Sequence, residues 1–266
     1  MLFYRNHATM TDTPPLSLLV LVACVFALGG FVKGVVGLGL PTIAMGLLSV
    51  AVLPAQAAAL LVVPSLVTNL WQIGGPGLAA LLRRMAPLLL GVCTGVWAGA
   101  GWLTGPGDAG HGASLAGVGL GLALLAYATL GLMHWRPRVP PMHERWLAPL
   151  VGVATGLVTA ATGVFVIPAV PYLQALGLEK EALVRALGVS CLVSTIALGV
   201  ALGQHGALHA SALAGSALAL LPALAGMALG QRLRRRVEAE AFKRIFFCGL
   251  LALGAYLTIR SAWPLL

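Results

Sequence analysis

The sequence predicts an all-α polytopic membrane protein built from two inverted repeats of about five membrane helices each. Three observations support this fold class: a mean hydropathy of +0.97, a charged fraction of only 9% in 266 residues, and long apolar runs that end in Gly, Pro or Arg. Water-facing surfaces need more charge than this. The runs are about long enough to cross a hydrocarbon core of ~30 Å as helices, which satisfy their own backbone hydrogen bonds.

Ten apolar segments are expected, five in each half. They lie at 16–34, 40–53, 55–73, 86–104 and 113–134, and then at 147–160, 163–176, 181–203, 208–230 and 241–260. A single helix over 41–70 would be about 45 Å long at ~1.5 Å per residue, and Leu53-Pro54 interrupts it, so the segments divide there. The predicted regions are an extracytoplasmic N-terminal tail at 1–15, a first transmembrane repeat at 16–134, a cytoplasmic linker at 135–146 and a second transmembrane repeat at 147–266.

The distribution of cationic residues tests this division independently. With ten elements, all of the 16 Lys and Arg residues except Arg5 and Arg260 fall on one side of the membrane. Fusing each short segment with its neighbour gives eight spans and moves five arginines to the other side: Arg83, Arg84, Arg136, Arg138 and Arg145. The positive-inside rule therefore favours ten elements. Five elements per half give inverted halves with both termini outside the cytoplasm, in a multi-pass protein of the cell membrane, here a bacterial inner membrane.

A weak internal repeat supports the two halves. GVVGLGLPTIAMG at 34–46 aligns with GLVTAATGVFVIP at 156–168, and QAAALLVVPSLVTN at 56–69 aligns with EALVRALGVSCLVS at 181–194. In this alignment Ser65 corresponds to Ser190 and Asn69 to Ser194. The shared order is an apolar run, a break rich in small residues, a short apolar run and a helix with a polar end.

Each half contains a break at which a new helix is expected to start. The first new helix is predicted at Pro41-Thr42 and the second at Thr162-Gly163. Two short helices near the midplane would then direct their positive N-terminal ends at one volume, which suits an anion. The alternative is that the glycines only let helices pack closely, as expected in GFVKG, GVCTG, GVWAG, GVATG and GMALG.

Lys33 has two interpretations. It extends to the cytoplasmic headgroups, or it directs its charge into a cavity at an anion. The candidate substrate-binding residues are Lys33, Gly37, Gly39, Pro41, Thr42, Ser65, Asn69, Thr159, Thr162, Gly163, Ser190 and Ser194. For the hydroxyl and amide side chains among them, the alternative role is hydrogen bonding between helices.

Other classes of site are missing from the sequence. The seven acidic residues lie in loops or at segment ends, so neither a cation site nor a carboxylate proton relay is expected within the membrane. There is no P-loop, and His205 and His209 lack a third ligand, so neither ATP hydrolysis nor a metal site is expected. We expect no catalytic residues, no cofactor and no nucleic-acid partner. The expected partners are a small anion and membrane lipid, and the sequence leaves a homo-oligomer open.

Several stretches together resemble the TauE/SafE sulfite exporter family, also called the sulfonate uptake permease family. They are GFVKGVVGLGLP, GLVTAATGVFVIP, PSLVTN and the closing GQRLRRRVEAEAFKRIFFCGLLALGAYL. That family carries a Gly-rich stretch ending in Pro in each half and about eight spans. Here the triple glycine reads Gly39-Leu40-Pro41 in the first half and Ala161-Thr162-Gly163 in the second. The resemblance implies transport of sulfite, organosulfonates or related sulfur anions.

The sequence therefore predicts a secondary transporter that exports a small sulfur-containing anion by alternating access. One alternative is a proton-coupled uptake permease for a small organic anion. A second alternative is an intramembrane enzyme, although the sequence has no His, Asp or Glu within the membrane to activate a nucleophile. A third is an assembly subunit that does not itself transport.

Overall fold

The computed structural model describes residues 16–75, 77–100, 111–133, 138–234 and 239–263, and within these ranges it is all-helical. The helices are α1 Leu16–Val36, α2 Leu40–Leu48, α3 Pro54–Gln72, α4 Leu78–Ala98, α5 His111–Leu132, α6 Pro141–Thr162, α7 Ala169–Ala175, α8 Lys180–Gln204, α9 Ala210–Leu233 and α10 Ala239–Ala262. Seven of them are long and apolar enough to cross a membrane. The predicted polytopic all-α fold is therefore confirmed. Several predictions lie outside the described residues: the tail at 1–15, positions 101–104 and 134–137, and the cations Arg5, Arg136, Arg235 and Arg236.

The two short helices interrupt the two halves at corresponding places. Helix α2 has nine residues and α7 has seven. At ~1.5 Å per residue they are about 14 Å and 11 Å long, well short of a ~30 Å hydrocarbon core. Pro54 begins α3, as the division at Leu53-Pro54 predicts. The segment predicted at 40–53 is helical only to Leu48.

Two helices begin earlier than predicted, and an ion pair joins the second turn of one to the first turn of the other. Helix α4 starts at Leu78 rather than 86, and α6 starts at Pro141, inside the predicted linker, rather than at 147. Arg84 Nε and Glu144 Oε1 are 2.7 Å apart across these two helices. Arg84 is thus part of α4 rather than of the loop before it. A segment predicted from hydropathy ends where charged residues begin. In the structure both helices include their charged residue, because Arg84 and Glu144 pair with each other.

Small residues bring two pairs of helices into backbone contact. A Cβ added to Gly30 of α1 would lie 2.1 Å from the carbonyl oxygen of Ala223 in α9. A Cβ added to Gly226 of α9 would lie 2.0 Å from the carbonyl oxygen of Ala27 in α1. Helices α4 and α6 meet in the same way, since a Cβ on Gly91 would lie 2.5 Å from the carbonyl oxygen of Pro149. The close packing predicted for the GxxxG-type stretches is confirmed.

The directions of the helices follow from which residues meet. Ser65 of α3 contacts Thr195 of α8, whereas Gln72 at the end of α3 contacts Val184 near the start of α8, so these helices are antiparallel. Helices α5 and α10 are also antiparallel, because the backbone of Gly121 faces Thr258 and that of Gly131 faces Phe247. Antiparallel pairing of corresponding helices agrees with inverted halves. The orientation of the halves in the membrane stays a prediction.

Candidate functional site

The first helix break depends on two glycines with positive φ. Gly37 has φ 87° and Gly39 has φ 120°, both in the region that side chains with a Cβ rarely adopt. A Cβ on Gly39 would also lie 2.9 Å from Cγ1 of Val32. Helix α2 then starts at Leu40 with Pro41 in its first turn, as predicted. No side chain caps this helix start, and its first regular backbone hydrogen bond runs from the Ile43 N–H to the Gly39 carbonyl oxygen, at 2.8 Å.

The second break differs from the prediction. Thr162 is the last residue of α6 and Gly163 is its left-handed cap, with φ 70°, so these two residues end a helix and do not begin one. The next helix starts at Ala169, after Pro168. Gly163 ends α6, and Pro168 disfavours a helical conformation at the residue before it, Ile167. The expected positive helix end at Thr162-Gly163 is therefore wrong.

Lys33 is directed into the protein. Its side chain is only 4% exposed, and among the described residues it is the one charged side chain in the buried set. Its Nζ donates hydrogen bonds to Thr68 Oγ1, at 3.0 Å, and to Asn69 Oδ1, both on α3. The interpretation in which Lys33 extends to the headgroups is wrong, because the ammonium is held between helices.

A directional chain of hydrogen bonds runs from Asn69 to α8. Asn69 Nδ2 donates to Ser65 Oγ at 3.1 Å, and Ser65 Oγ lies 3.1 Å from Thr195 Oγ1. Thr195 uses its own hydrogen for the carbonyl oxygen of Cys191, at 2.7 Å, so Ser65 must be the donor to Thr195. We call Lys33, Ser65, Thr68, Asn69 and Thr195 the polar cluster. The cluster offers Lys33 neutral oxygen acceptors only, so it solvates the ammonium without neutralising its charge.

Gln72, on the same helix as Asn69, binds a carbonyl group at the first break. Its Nε2 donates to the carbonyl oxygen of Gly37, at 3.1 Å, and to that of Val184 on α8, at 2.9 Å. Gly37 lies just past the end of α1, where helical carbonyls lack partners. Gln72 therefore satisfies a freed carbonyl at the break and holds α1, α3 and α8 together.

A second irregularity lies in α3, directly before the polar cluster. Pro64 has no N–H, so the Leu60 carbonyl loses its helical partner. Ser216 of α9 replaces it: the Ser216 hydroxyl donates to the Leu60 carbonyl oxygen and accepts from the Val63 N–H, at 2.8 Å and 3.0 Å. This repair keeps the end of α3 in place, although the helical ladder is interrupted.

Four buried hydroxyl groups of the described residues have no hydrogen-bond partner. They belong to Thr42 in the first turn of α2, to Ser49 at its C-terminal cap, and to Ser190 and Ser194 in the middle of α8. Ser190 directly precedes Cys191, whose carbonyl oxygen accepts from Thr195, and Ser194 directly precedes Thr195 of the polar cluster. A buried hydroxyl without a partner is costly, and such a group is a candidate donor to a ligand.

The structure brings together only part of the predicted site. Lys33, Ser65 and Asn69 meet in the polar cluster. The Gly37 carbonyl accepts from Gln72, which follows Asn69 by three residues on α3. The hydroxyls of Thr159 and Thr162 donate to carbonyls of their own helix, which gives them a structural role in α6. No group of three His, Cys, Asp or Glu residues that could hold a metal occurs in the described part of the chain.

Sequence reasoning missed three participants, Gln72, Thr195 and Ser216. Gln72 follows Thr68 by four residues and Asn69 by three, so its position on the same face of α3 was available from helical spacing. Thr195 follows the predicted Ser194 directly. Ser216 had no signal in the sequence, because only the packing of α9 on α3 places it beside Pro64.

The comparison with known families agrees with this architecture. The profile of the sulfite exporter TauE/SafE family matches residues 21–257, which is most of the chain. The chain belongs to the TauE/SafE family. Neither a curated protein nor a solved structure matches it. TauE/SafE proteins are membrane transporters of the sulfite exporter type, and the matched range includes both breaks and the whole polar cluster.

Proposed function

We propose that this TauE/SafE protein is a secondary carrier that exports sulfite, an organosulfonate or a related small sulfur-containing anion by alternating access. The observation that carries the proposal is the buried ammonium of Lys33, whose hydrogen-bond partners are neutral side chains of α3. A buried charge without a counter-charge is costly. A bound anion would supply the missing counter-charge.

The hydrogen bonds around Lys33 separate the side chains that bond only to protein groups from the N–H groups that can still donate to an anion. Ser65, Thr68 and Thr195 use their hydroxyl hydrogens for other protein groups, so they position the ammonium and do not contact the anion. An ammonium has three N–H groups, and two of them go to Thr68 and Asn69. The third N–H remains for an oxyanion.

Three of the four unpartnered hydroxyls extend the donor set beyond Lys33. Ser190 and Ser194 lie one turn apart on α8, and Thr42 lies at the start of α2, where the helix dipole is positive. Hydroxyl donors and an ammonium match the oxygens of a sulfite or sulfonate group. The membrane potential, negative inside, drives an anion outward by about 2.3 kcal/mol per charge per 100 mV, so export needs no coupling ion.

Flux through proteoliposomes that contain only this chain tests the proposal. Radiolabelled sulfite, taurine and sulfoacetate are loaded inside the vesicles, and a potassium diffusion potential is imposed. We expect potential-driven efflux of at least one of these compounds. A charge-assisted hydrogen bond is worth about 1.5–3 kcal/mol, so efflux should fall about ten- to hundredfold in Lys33→Ala.

Two further variants sharpen the test. Lys33→Arg keeps the charge and should retain more efflux than Lys33→Ala, and Lys180→Ala removes an exposed cation at the start of α8 and should behave as the wild type. Efflux of none of the compounds, or equal efflux from Lys33→Ala and wild type, would contradict the proposal. Uptake that follows an imposed proton gradient and ignores the potential would support the uptake permease instead.

A further inference from the structure

The proposed anion site contains one buried positive charge. Lys33 is the one charged side chain in the buried set of the described residues. Its ammonium donates to Thr68 and Asn69, whose hydroxyl and amide groups do not ionise. The buried hydroxyls without a partner on α2 and α8 can donate hydrogen bonds, but they add no charge. The side chains around a bound anion therefore balance one negative charge.

The other charged side chains of the described residues lie outside the buried set. Arg185 is the nearest of them in sequence to Ser190 and Ser194, but its Nη1 lies 2.9 Å from a Cβ placed on Gly75, in the loop after α3. Ser190 follows Arg185 by five residues and Ser194 by nine, which places the two serines about 140° and 180° round α8 from it. Arg185 therefore faces away from them. The described cations of α9 and α10 are exposed or partly exposed: Arg232, Arg234, Lys243, Arg244 and Arg260.

We propose that the site selects its substrate by charge: it takes a singly charged anion, such as hydrogensulfite or a sulfonate whose other atoms are uncharged, and discriminates against dianions and zwitterions. The selectivity rests on the proposed function, since it concerns the same anion site. A monoanion and the Lys33 ammonium sum to zero, so the pair is buried without a residual charge. A dianion would leave one negative charge uncompensated among buried groups, which is costly.

A zwitterionic sulfonate meets the opposite difficulty. Taurine carries an ammonium in addition to its sulfonate, so binding would bring a second positive charge to the site of Lys33. No Asp or Glu of the described residues belongs to the buried set, so no buried carboxylate there would pair with that ammonium. Like charges placed together in a binding site are costly. Isethionate, which has a hydroxyl in place of the taurine ammonium, should therefore bind more tightly than taurine.

Ligand-induced thermal stabilisation of the purified full chain in detergent tests the selectivity without measuring transport. The dependence of Tm on ligand concentration gives the Kd of each compound at neutral pH. Two pairs match in size and differ in charge: isethionate with sulfoacetate, and methanesulfonate with sulfate. The first member of each pair is a monoanion and the second a dianion. We expect each monoanion to bind at least about tenfold more tightly than its partner.

Lys33→Ala supplies the background for these measurements. Sulfate also stabilises proteins because it is excluded from their surfaces, and this effect does not need a binding site. The Tm shift that wild type shows and Lys33→Ala lacks is therefore the shift to compare between compounds.

A variant that changes the charge of the site should change the preferred substrate. Asn69→Asp places a carboxylate beside the Lys33 ammonium and brings the sum of buried charge from one to zero. Taurine, with no net charge, should then bind more tightly than isethionate, the reverse of the wild-type order. Asn69→Ser stays neutral and should keep the wild-type order. Gln204→Glu adds a negative charge at the exposed end of α8, away from Lys33, and should keep it too.

The possible results separate this selectivity from the proposed function. Sulfoacetate that binds as tightly as isethionate, or sulfate as tightly as methanesulfonate, would overturn the selectivity and leave the carrier proposal in place. An unchanged order of taurine and isethionate in Asn69→Asp would also overturn it. Stabilisation by none of the five compounds would overturn the anion site itself, and the proposed function with it. If Asn69→Asp does not fold, the two matched pairs measured on the wild type still decide.

Discussion

The hydroxyl of Ser216 in α9 lies 2.8 Å from the carbonyl oxygen of Leu60 in α3, the group that Pro64 leaves without its helical partner. The same hydroxyl accepts the Val63 N–H, so one side chain binds two backbone groups of α3 beside Pro64. The polar end of α3 begins with the next residue, Ser65. The position of the proposed anion site therefore depends on a residue of α9 that does not belong to it.

Replacing Ser216 by Ala should lower stability without removing any proposed ligand contact. It leaves the buried Leu60 carbonyl unsatisfied, which costs about 1–3 kcal/mol. Thermal unfolding in detergent measures this cost. Ser211→Ala, at an exposed position in the first turn of the same helix, is the control and should change the Tm little. Equal Tm values for Ser216→Ala and Ser211→Ala would show that the repair of α3 does not contribute.

Replacing Asn69 by Asp should stop anion transport while the fold is kept. Asn69 contacts the Lys33 ammonium, so a carboxylate at this position would pair with that ammonium. It would take the place of the negative charge that, in our proposal, the substrate supplies. We expect efflux in proteoliposomes to fall at least about tenfold, which corresponds to ~1.4 kcal/mol of lost binding. Asn69→Ser stays neutral and serves as the comparator. Efflux from Asn69→Asp at or above the Asn69→Ser level would contradict a role for the uncompensated charge.

Replacing Gly39 by Ala should destabilise the first break. Its φ of 120° is costly for a residue with a Cβ, and the new methyl group would also lie 2.9 Å from Val32. Strain of this kind costs about 1–3 kcal/mol. Gly74→Ala is the matched control, because its backbone is not in the strained region and a Cβ there meets nothing within 4 Å. Chemical denaturation of both variants gives the comparison, and a Gly39→Ala protein as stable as Gly74→Ala would refute the requirement for glycine.

Replacing Gly30 by Ala should separate α1 from α9. The added methyl group would lie 2.1 Å from the backbone oxygen of Ala223, which cannot rotate away as a side chain can. Overpacking typically costs about 1–3 kcal/mol. Gly203→Ala adds the same group in open space on α8 and is the control. The Tm of Gly30→Ala should be the lower of the two, and the reverse order would contradict the close contact.

The ten-element arrangement predicts that both termini lie outside the cytoplasm. The prediction rests on the positive-inside rule, since all Lys and Arg residues except Arg5 and Arg260 fall on one side in this arrangement. Accessibility of a C-terminal tag in intact cells and in inverted vesicles measures it. A tag that a protease reaches only from the cytoplasmic side would contradict the arrangement.

The sequence by itself determined the fold class and the first break. Hydropathy and length predicted the helices of a polytopic protein. The GxxxG-type spacing predicted the close contacts of Gly30 and Gly226. Both patterns can be recognised within short stretches of the chain. Gly37, Gly39 and Pro41 gave the first break for the same reason, since positive φ and a missing N–H are properties of single residues.

Only the tertiary structure decided which polar groups meet. The sequence left open whether Lys33 extends to the headgroups or into the protein, and the answer depended on the position of α3 beside α1. The second break was misread because an apolar run before Pro168 has the composition of a helix, whereas in the structure α6 ends at the left-handed Gly163 and the next helix begins only at Ala169. Hydrogen bonds such as Ser65 to Thr195 and Ser216 to Leu60 join residues more than a hundred positions apart, and no local pattern encodes such pairs.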